Sequence, residues 1–331
     1  MDTVTNSAYN VTEYITRDLK KGAIIPMGPL VLGLTAAAGS ILANLLTITA
    51  IVSSRLNKHS THILVANQSS CDLLVAVNTI ATYVRAIYSH LLPLWLANVL
   101  RLANSVTMHS VIVISLGNSL LIGVDRFIAT VSPFKYKSIA TKKRVYYTIG
   151  LMWLAVIGVL SFPLVIHNIN RKLDDWIINM MELTTIYPQG FPAFVGVLMC
   201  SLMVTNFILY FAIMVAFQRV SGRVESINAT GQKSRKLTST VAIVVMFTLV
   251  FYCPFVVYLM LPPAKGKADV VKRMLAQVAL VLITFASYIN NIIYPLRQRR
   301  YRDAYAKVFS CSKVNVQVEP ASQKTTKSTP P

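Results

Sequence analysis

The sequence predicts an all-α membrane protein: a bundle of seven transmembrane helices followed by a short amphipathic helix on the cytoplasmic surface. Three observations predict it. The chain has 331 residues, 54% hydrophobic and 13% charged, with a mean hydropathy of +0.56. Soluble domains carry ~25% charged residues, so most of this chain does not face water. Its uncharged residues fall into seven long runs: 22–54, 59–84 (interrupted by Asp72), 102–124, 145–170, 183–218, 237–264 and 274–296. Finally, the 32 Lys and Arg outnumber the 12 Asp and Glu and gather between those runs.

Each run exceeds the ~20 residues that a spanning helix needs. In hydrocarbon every backbone N–H and C=O must be paired within the segment, which selects helices. The first run follows a polar tail, Met1–Lys21, without the apolar core of a cleaved signal peptide, so the first span is expected to act as the membrane signal. An eighth apolar stretch, Ala86–Leu100, contains His90 and Pro93 and is too short to span. It is expected to be a loop leading into the third helix.

Charge sets the orientation. One set of inter-span segments, with the tail, holds 21 of the 32 basic residues, so it is assigned to the cytoplasm and the N-terminus to the outside. Locally, Arg17, Lys20 and Lys21 against Arg55 and Lys58 point the other way, but the whole-chain sum outweighs them. The resulting organisation is 1–24 extracellular tail, 25–296 membrane domain, 297–310 amphipathic surface helix and 311–331 disordered cytoplasmic tail. Plasma membrane is the expected location. Basic residues interspersed between apolar runs do not form the continuous face that nucleic acid requires, so no nucleic-acid partner is expected. Asn10-Val11-Thr12 is a glycosylation acceptor triplet on the outer side. Asn67-Gln68-Ser69 and Asn228-Ala229-Thr230 share the form but lie in the bilayer or inside the cell.

Each run carries a mark of its own. The first has Asn44. The second has Asp72, an acid near mid-bilayer that costs ~2.5–3.5 kcal/mol on insertion scales and is a functional candidate by default; a carboxyl kept protonated by its neighbours is the alternative. The third has Ser115 and ends in Asp125-Arg126-Phe127, followed by "VSPFKY". Ser115 lies eleven residues before Arg126, about three helical turns on one face. The fourth has Trp153. The sixth has Tyr252 and Pro254, and an interior proline kinks a helix by removing one backbone hydrogen bond. The seventh has Ser287, then Asn290 and Tyr294 on one face at i, i+4. Beyond it Leu296, Tyr301, Tyr305 and Phe309 alternate with Arg297, Arg299, Arg300 and Arg302, a pattern suited to an anionic leaflet. Cys311 at its end is a palmitoylation candidate.

Together these marks resemble a rhodopsin-like G-protein-coupled receptor over residues 25 to 311. The resemblance implies an outer pocket for an extracellular ligand and a heterotrimeric G protein, with arrestin as a further partner of a tail carrying Ser322, Thr325, Thr326, Ser328 and Thr329. It implies that Asp125 holds Arg126 at rest and that outward movement of the sixth helix frees Arg126 to meet the G protein, with Phe127, Tyr210, Asn290 and Tyr294 in the coupling machinery. It also implies a sodium ion among Asp72, Ser115, Ser287 and Asn290, with Asn44 nearby. Tyr252 stands where the family usually has tryptophan, either as the ring that senses ligand or as core filler. Trp153 is expected against the second and third helices.

Departures are as informative. Asn291 stands where the family has proline, and Pro295 follows Tyr294, so the break in the seventh helix has moved by a turn. The segment "GQKSRKLTSTV" has no acid to lock Arg126, which implies high basal signalling. Arg101 replaces the cysteine that usually anchors the outer loop, and 167–191 contains none. Met108 stands where an amine receptor has aspartate. Thr284 stands where a light sensor has its retinal lysine, so no retinal is expected. The pocket would be lined by Asn104, Thr107, Met108, His109, Phe255, Tyr258, Leu280 and Thr284. Arg85, Arg101, Lys265, Lys267, Lys272 and Arg273 ring its mouth, which suits a weakly acidic, lipid-like or acidic-peptide ligand. No enzyme is expected, because no metal or nucleophile cluster is spaced for catalysis. A transporter or channel would show paired repeats with broken helices, and none is present. A receptor-shaped protein that does not couple stays open.

Overall fold

A computed structural model describes residues 27–56, 59–88, 91–169, 188, 190–221, 246–262, 267–297 and 299–310. They form nine helices: α1 (Met27–Ser53), α2 (Ser60–Tyr88), α3 (Leu94–Val131), α4 (Pro133–Ile139), α5 (Lys142–Ile169), α6 (Phe191–Ser221), α7 (Met246–Met260), α8 (Lys267–Arg297) and α9 (Arg299–Phe309). α1, α2, α3, α5, α6 and α8 are long and apolar enough to cross a membrane, and α7 is a shorter apolar helix. With α7 as the described part of the sixth run, this is the expected seven-helix membrane bundle. The end of the bundle holding α4, α9 and the α1–α2 turn is called the basic end, and the opposite one the far end.

Polarity is inverted relative to a soluble protein. Leu42, Leu151, Leu154, Phe162, Ile208 and Val250 are exposed, whereas Asn44, Asp72, Ser115, Asn118, Asn206 and Ser287 are buried. An apolar belt this continuous would aggregate in water and is solvated in lipid, while the polar groups pair inside. α3 is the central post and mostly buried, whereas α5 has few buried residues along its apolar length. α1 packs on α2, α2 on α3, α3 on α6 and α5, and α8 closes back on α1 and α2.

The stretch 86–100 differs from the expected loop. α2 continues to Tyr88, and α3 starts at Leu94 with Pro93 as its N-cap. Proline is well tolerated there because the missing N–H would have no intrahelical partner, and its carbonyl accepts from Ala97 N–H at 3.0 Å. Both helices therefore extend past their uncharged cores.

α9 also departs from a helix lying only on lipid. Phe309 and Leu296 are exposed, but Tyr301 is fully buried beneath the bundle. Its hydroxyl meets His62 Nδ1 at 2.8 Å, and Tyr305 OH meets Thr47 Oγ1 at 2.6 Å. The alternating pattern distinguishes an apolar face from a basic one; it does not distinguish lipid from a neighbouring helix as the cover for that face. Residues 1–26, 170–187, 222–245 and 311–331 lie outside the described residues, and with them Asn10, Cys311, the segment "GQKSRKL" and most of the outer loop.

Candidate functional site

At the basic end, α3 delivers Asp125 and Arg126 as a buried pair. Arg126 Nε donates to Asp125 Oδ2 at 3.1 Å, and Nη2 also reaches that oxygen. Two neighbouring charges withdrawn from water need further hydrogen bonds to offset desolvation, and α2 and α4 supply them. Thr61 Oγ1 donates to Asp125 Oδ2 at 2.7 Å and Ser60 Oγ to Oδ1 at 3.2 Å. Tyr136 OH donates to Oδ1 at 2.8 Å and receives Arg126 Nη2 at 3.3 Å; Thr61 Oγ1 is a further acceptor for Nη2. α4 brings Tyr136 here because Pro133 opens a new helix immediately after α3 ends at Val131. Burial, and after it the Asp125 carboxylate, push the Tyr136 phenol above its ordinary range, so it remains a donor. The sequence reading gave the ion pair but missed Ser60, Thr61 and Tyr136. Phe127 packs against the main core, and Tyr210 OH donates to the Ser119 carbonyl at 3.3 Å, higher on α3. The side chains of Asn290 and Tyr294 lie outside the described residues.

Midway along the bundle are two polar clusters. Around Asn291, Nδ2 donates to Asn44 Oδ1 at 2.8 Å and to the Ser287 carbonyl at 3.0 Å. Its Oδ1 accepts from Thr47 Oγ1 at 2.6 Å and from Ser69 Oγ at 3.4 Å. Asn44 in turn donates to the Ser40 carbonyl at 2.8 Å. The residue that replaces the expected proline is thus the junction between α8, α1 and α2. Pro295 follows four residues later inside α8 and has no N–H for the Asn291 carbonyl. Tyr305 OH lies 3.4 Å from that carbonyl and 2.6 Å from Thr47 Oγ1, so α9 closes over the backbone group that the proline leaves open. The clue was in the sequence: an amide side chain at the family's proline position.

The other cluster surrounds Asp72, buried on α2. Gln68 Nε2 donates to Asp72 Oδ1 at 3.3 Å and to Ser115 Oγ at 2.6 Å. Ser115 Oγ lies 3.4 Å from Tyr252 OH on α7. Asp72 and Ser115 therefore share Gln68 Nε2 as a donor. Asn44 belongs to the Asn291 cluster instead, and Ser287 Oγ donates to the Ile283 carbonyl at 3.2 Å. An N–H donor, Gln68 Nε2, thus lies between Asp72 and Ser115, where the resemblance implies sodium; the side chain of Asn290, the fourth expected member, lies outside the described residues. Trp153 meets α2 as expected, its indole N–H donating to Asn67 Oδ1 at 3.1 Å.

At the far end, Met108 is buried and the His109 and Phe255 rings lie 5.8 Å apart. Phe255 stacks on Tyr258 at 6.0 Å, and Lys272 Nζ sits 5.7 Å from the Tyr258 ring. Leu280 packs against the same core. Thr284 is buried and Thr107 exposed, and each donates to a carbonyl of its own helix, Leu280 at 2.8 Å and Ala103 at 2.7 Å. Thr284 Oγ1 is also 2.9 Å from Thr79 Oγ1. Asn104 Nδ2 donates to Thr82 at 2.7 Å, but its Oδ1 is buried without a partner among the described residues. So is Arg85 Nε.

The family model described as "7 transmembrane receptor (rhodopsin family)" matches residues 43–294. Among curated proteins, the chain is 22% identical over 312 residues to an allatostatin-A receptor of Bombyx mori, covering 91% of this chain and 84% of that one. It is 24% identical over 274 residues to G-protein coupled receptor 3 of Mus musculus, covering 81% and 78%. It is 28% identical over 211 residues to a histamine H2 receptor of Cavia porcellus, covering 60% and 56%.

Proposed function

Because this chain belongs to the rhodopsin family of seven-transmembrane receptors and is a receptor rather than an enzyme, we propose that it binds an extracellular ligand at the far end and activates a heterotrimeric G protein at the basic end. The observation that carries this is the Asp125–Arg126 pair, buried yet one helical turn from the end of α3 and held by hydroxyls of two other elements. A guanidinium released from such a clamp offers several N–H donors to the carbonyls at the end of a partner helix. Pro254 within α7 supplies the weak point about which the basic-end half of α7 moves outward. The plasma membrane, with the N-terminus outside and the basic end in the cytosol, is the setting this requires, and arrestin is a further partner through the phosphorylatable tail.

The ligand this end favours carries an anionic or strongly accepting group for Arg85 and a donor for Asn104 Oδ1. Its apolar body would lie along Met108, Phe255, Tyr258 and Leu280. The test is nucleotide exchange on purified G proteins by the receptor in nanodiscs, with an acidic-lipid and acidic-peptide panel. Arg126→Ala is expected to abolish exchange, and Arg85→Ala to right-shift only anionic hits. Exchange by Arg126→Ala equal to wild type would overturn the coupling reading.

A further inference from the structure

We infer that Gln68 is a built-in replacement for a cation: its amide N–H groups hold the place between Asp72 and Ser115, so sodium does not regulate this receptor. The inference rests on the direction of a chain of hydrogen bonds, fixed at its start by chemistry. A Trp indole nitrogen only donates. Trp153 Nε1 donates to Asn67 at 3.1 Å, so the accepting atom is Asn67 Oδ1 and the opposite face of that amide is Nδ2. Asn67 Nδ2 then donates to Asn118 Oδ1 at 2.9 Å. Asn118 Nδ2 is thereby turned toward Gln68 Oε1, 2.9 Å away. The remaining face of Gln68 is Nε2, and it lies on Ser115 Oγ at 2.6 Å and Asp72 Oδ1 at 3.3 Å.

A second anchor fixes the same polarity independently. Asn118 Nδ2 also donates to the Leu64 carbonyl at 3.0 Å, and a carbonyl can only accept. Flipping any one amide would set donor against donor or acceptor against acceptor at two joints inside a buried network, where each unmade bond costs ~1–3 kcal/mol. Gln68, Ser115, Asp72 and Asn118 are all buried, so water does not supply alternative partners cheaply. The i, i+4 spacing of Gln68 and Asp72 on α2 places the amide one turn from the carboxylate on the same face.

A covalently held donor differs from an ion in one respect that matters for regulation: it cannot leave. It supplies partial positive charge to the carboxylate at every salt concentration. The inference concerns packing alone and does not depend on coupling, so its test uses no G protein. The full chain, purified into nanodiscs, is melted in sodium chloride and in choline chloride at equal ionic strength. Wild type is expected to melt at the same temperature in both. Gln68→Leu, which removes the amide, is expected to melt about 2–4 °C higher in sodium, as a newly opened site gains a ligand, and Asp72→Asn added to it should remove the difference. A sodium-specific rise in wild type that Asp72→Asn abolishes overturns the inference, as does a folded Gln68→Leu protein that is indifferent to the salt. If Gln68→Leu does not fold, sodium-23 linewidths decide. Wild-type receptor broadening the line no more than Asp72→Asn supports the inference, and broadening beyond it overturns it.

Discussion

Tyr136→Phe removes one oxygen from the Arg126 clamp and leaves the ring in place. That hydroxyl donates to Asp125 Oδ1 at 2.8 Å, receives Arg126 Nη2 at 3.3 Å and lies 2.9 Å from Ser60 Oγ. A hydrogen bond to a charged group contributes ~1.5–3 kcal/mol. Ser60 and Thr61 remain on the carboxylate, so the lower end of that range applies. If the contact exists only while Arg126 is held, its loss shifts the resting-to-active equilibrium about tenfold, since ~1.4 kcal/mol is a factor of ten. A receptor with ~1% of molecules active would reach ~10%. The assay is ligand-independent G-protein activation in cells, normalised to surface expression. Unchanged or lower basal activity in Tyr136→Phe, at equal thermal stability, would refute the claim that this phenol stabilises the held state.

Further substitutions probe the remaining contacts. Asn291→Leu should lower stability by ~3 kcal/mol or more, because it strips buried partners from Asn44 and Thr47 at once; thermal denaturation in nanodiscs measures it. Asn291→Pro, although it restores the family's residue, should be as damaging, since the same partners are lost. Tyr305→Phe should lose ~1–2 kcal/mol by removing the hydroxyl that pairs with Thr47 Oγ1 beside Pro295, read as a small drop in melting temperature with α9 otherwise intact. Gly33→Ala should lose ~1–3 kcal/mol by overpacking, because the new methyl would overlap the Tyr83 ring, whose hydroxyl is tied to the Pro29 carbonyl at 3.0 Å. Truncating the ring as well, in Gly33→Ala/Tyr83→Leu, should recover part of that loss.

The membrane bundle was legible because hydrocarbon forbids charge: the seven uncharged runs already mark where the spans lie. Asp125 and Arg126 were legible for the same reason, as charges at the edge of such a run. Their clamp was not, because Ser60, Thr61 and Tyr136 lie 65, 64 and 11 residues away from Asp125, and no periodicity links them. Gln68, Asn67 and Asn118 left a readable trace, amides inside apolar spans that must turn toward the bundle interior. What they do there depends on which neighbour donates, and only the packed arrangement with Trp153 decides that. Helix ends were the least legible, as the stretch 86–100 demonstrates, because a helix outruns its apolar core wherever capping permits.

The displaced proline alters how force can travel through this molecule. Upstream of Pro295, α8 keeps an uninterrupted backbone from Lys267, so it behaves as a stiff rod with its soft joint at the very bottom. The bolt across that joint is the Tyr305 hydroxyl, shared with Thr47 on α1. Bending the rod there and prising the tail helix off its seat are consequently a single mechanical event, and whatever pulls on the tail also loads the hinge.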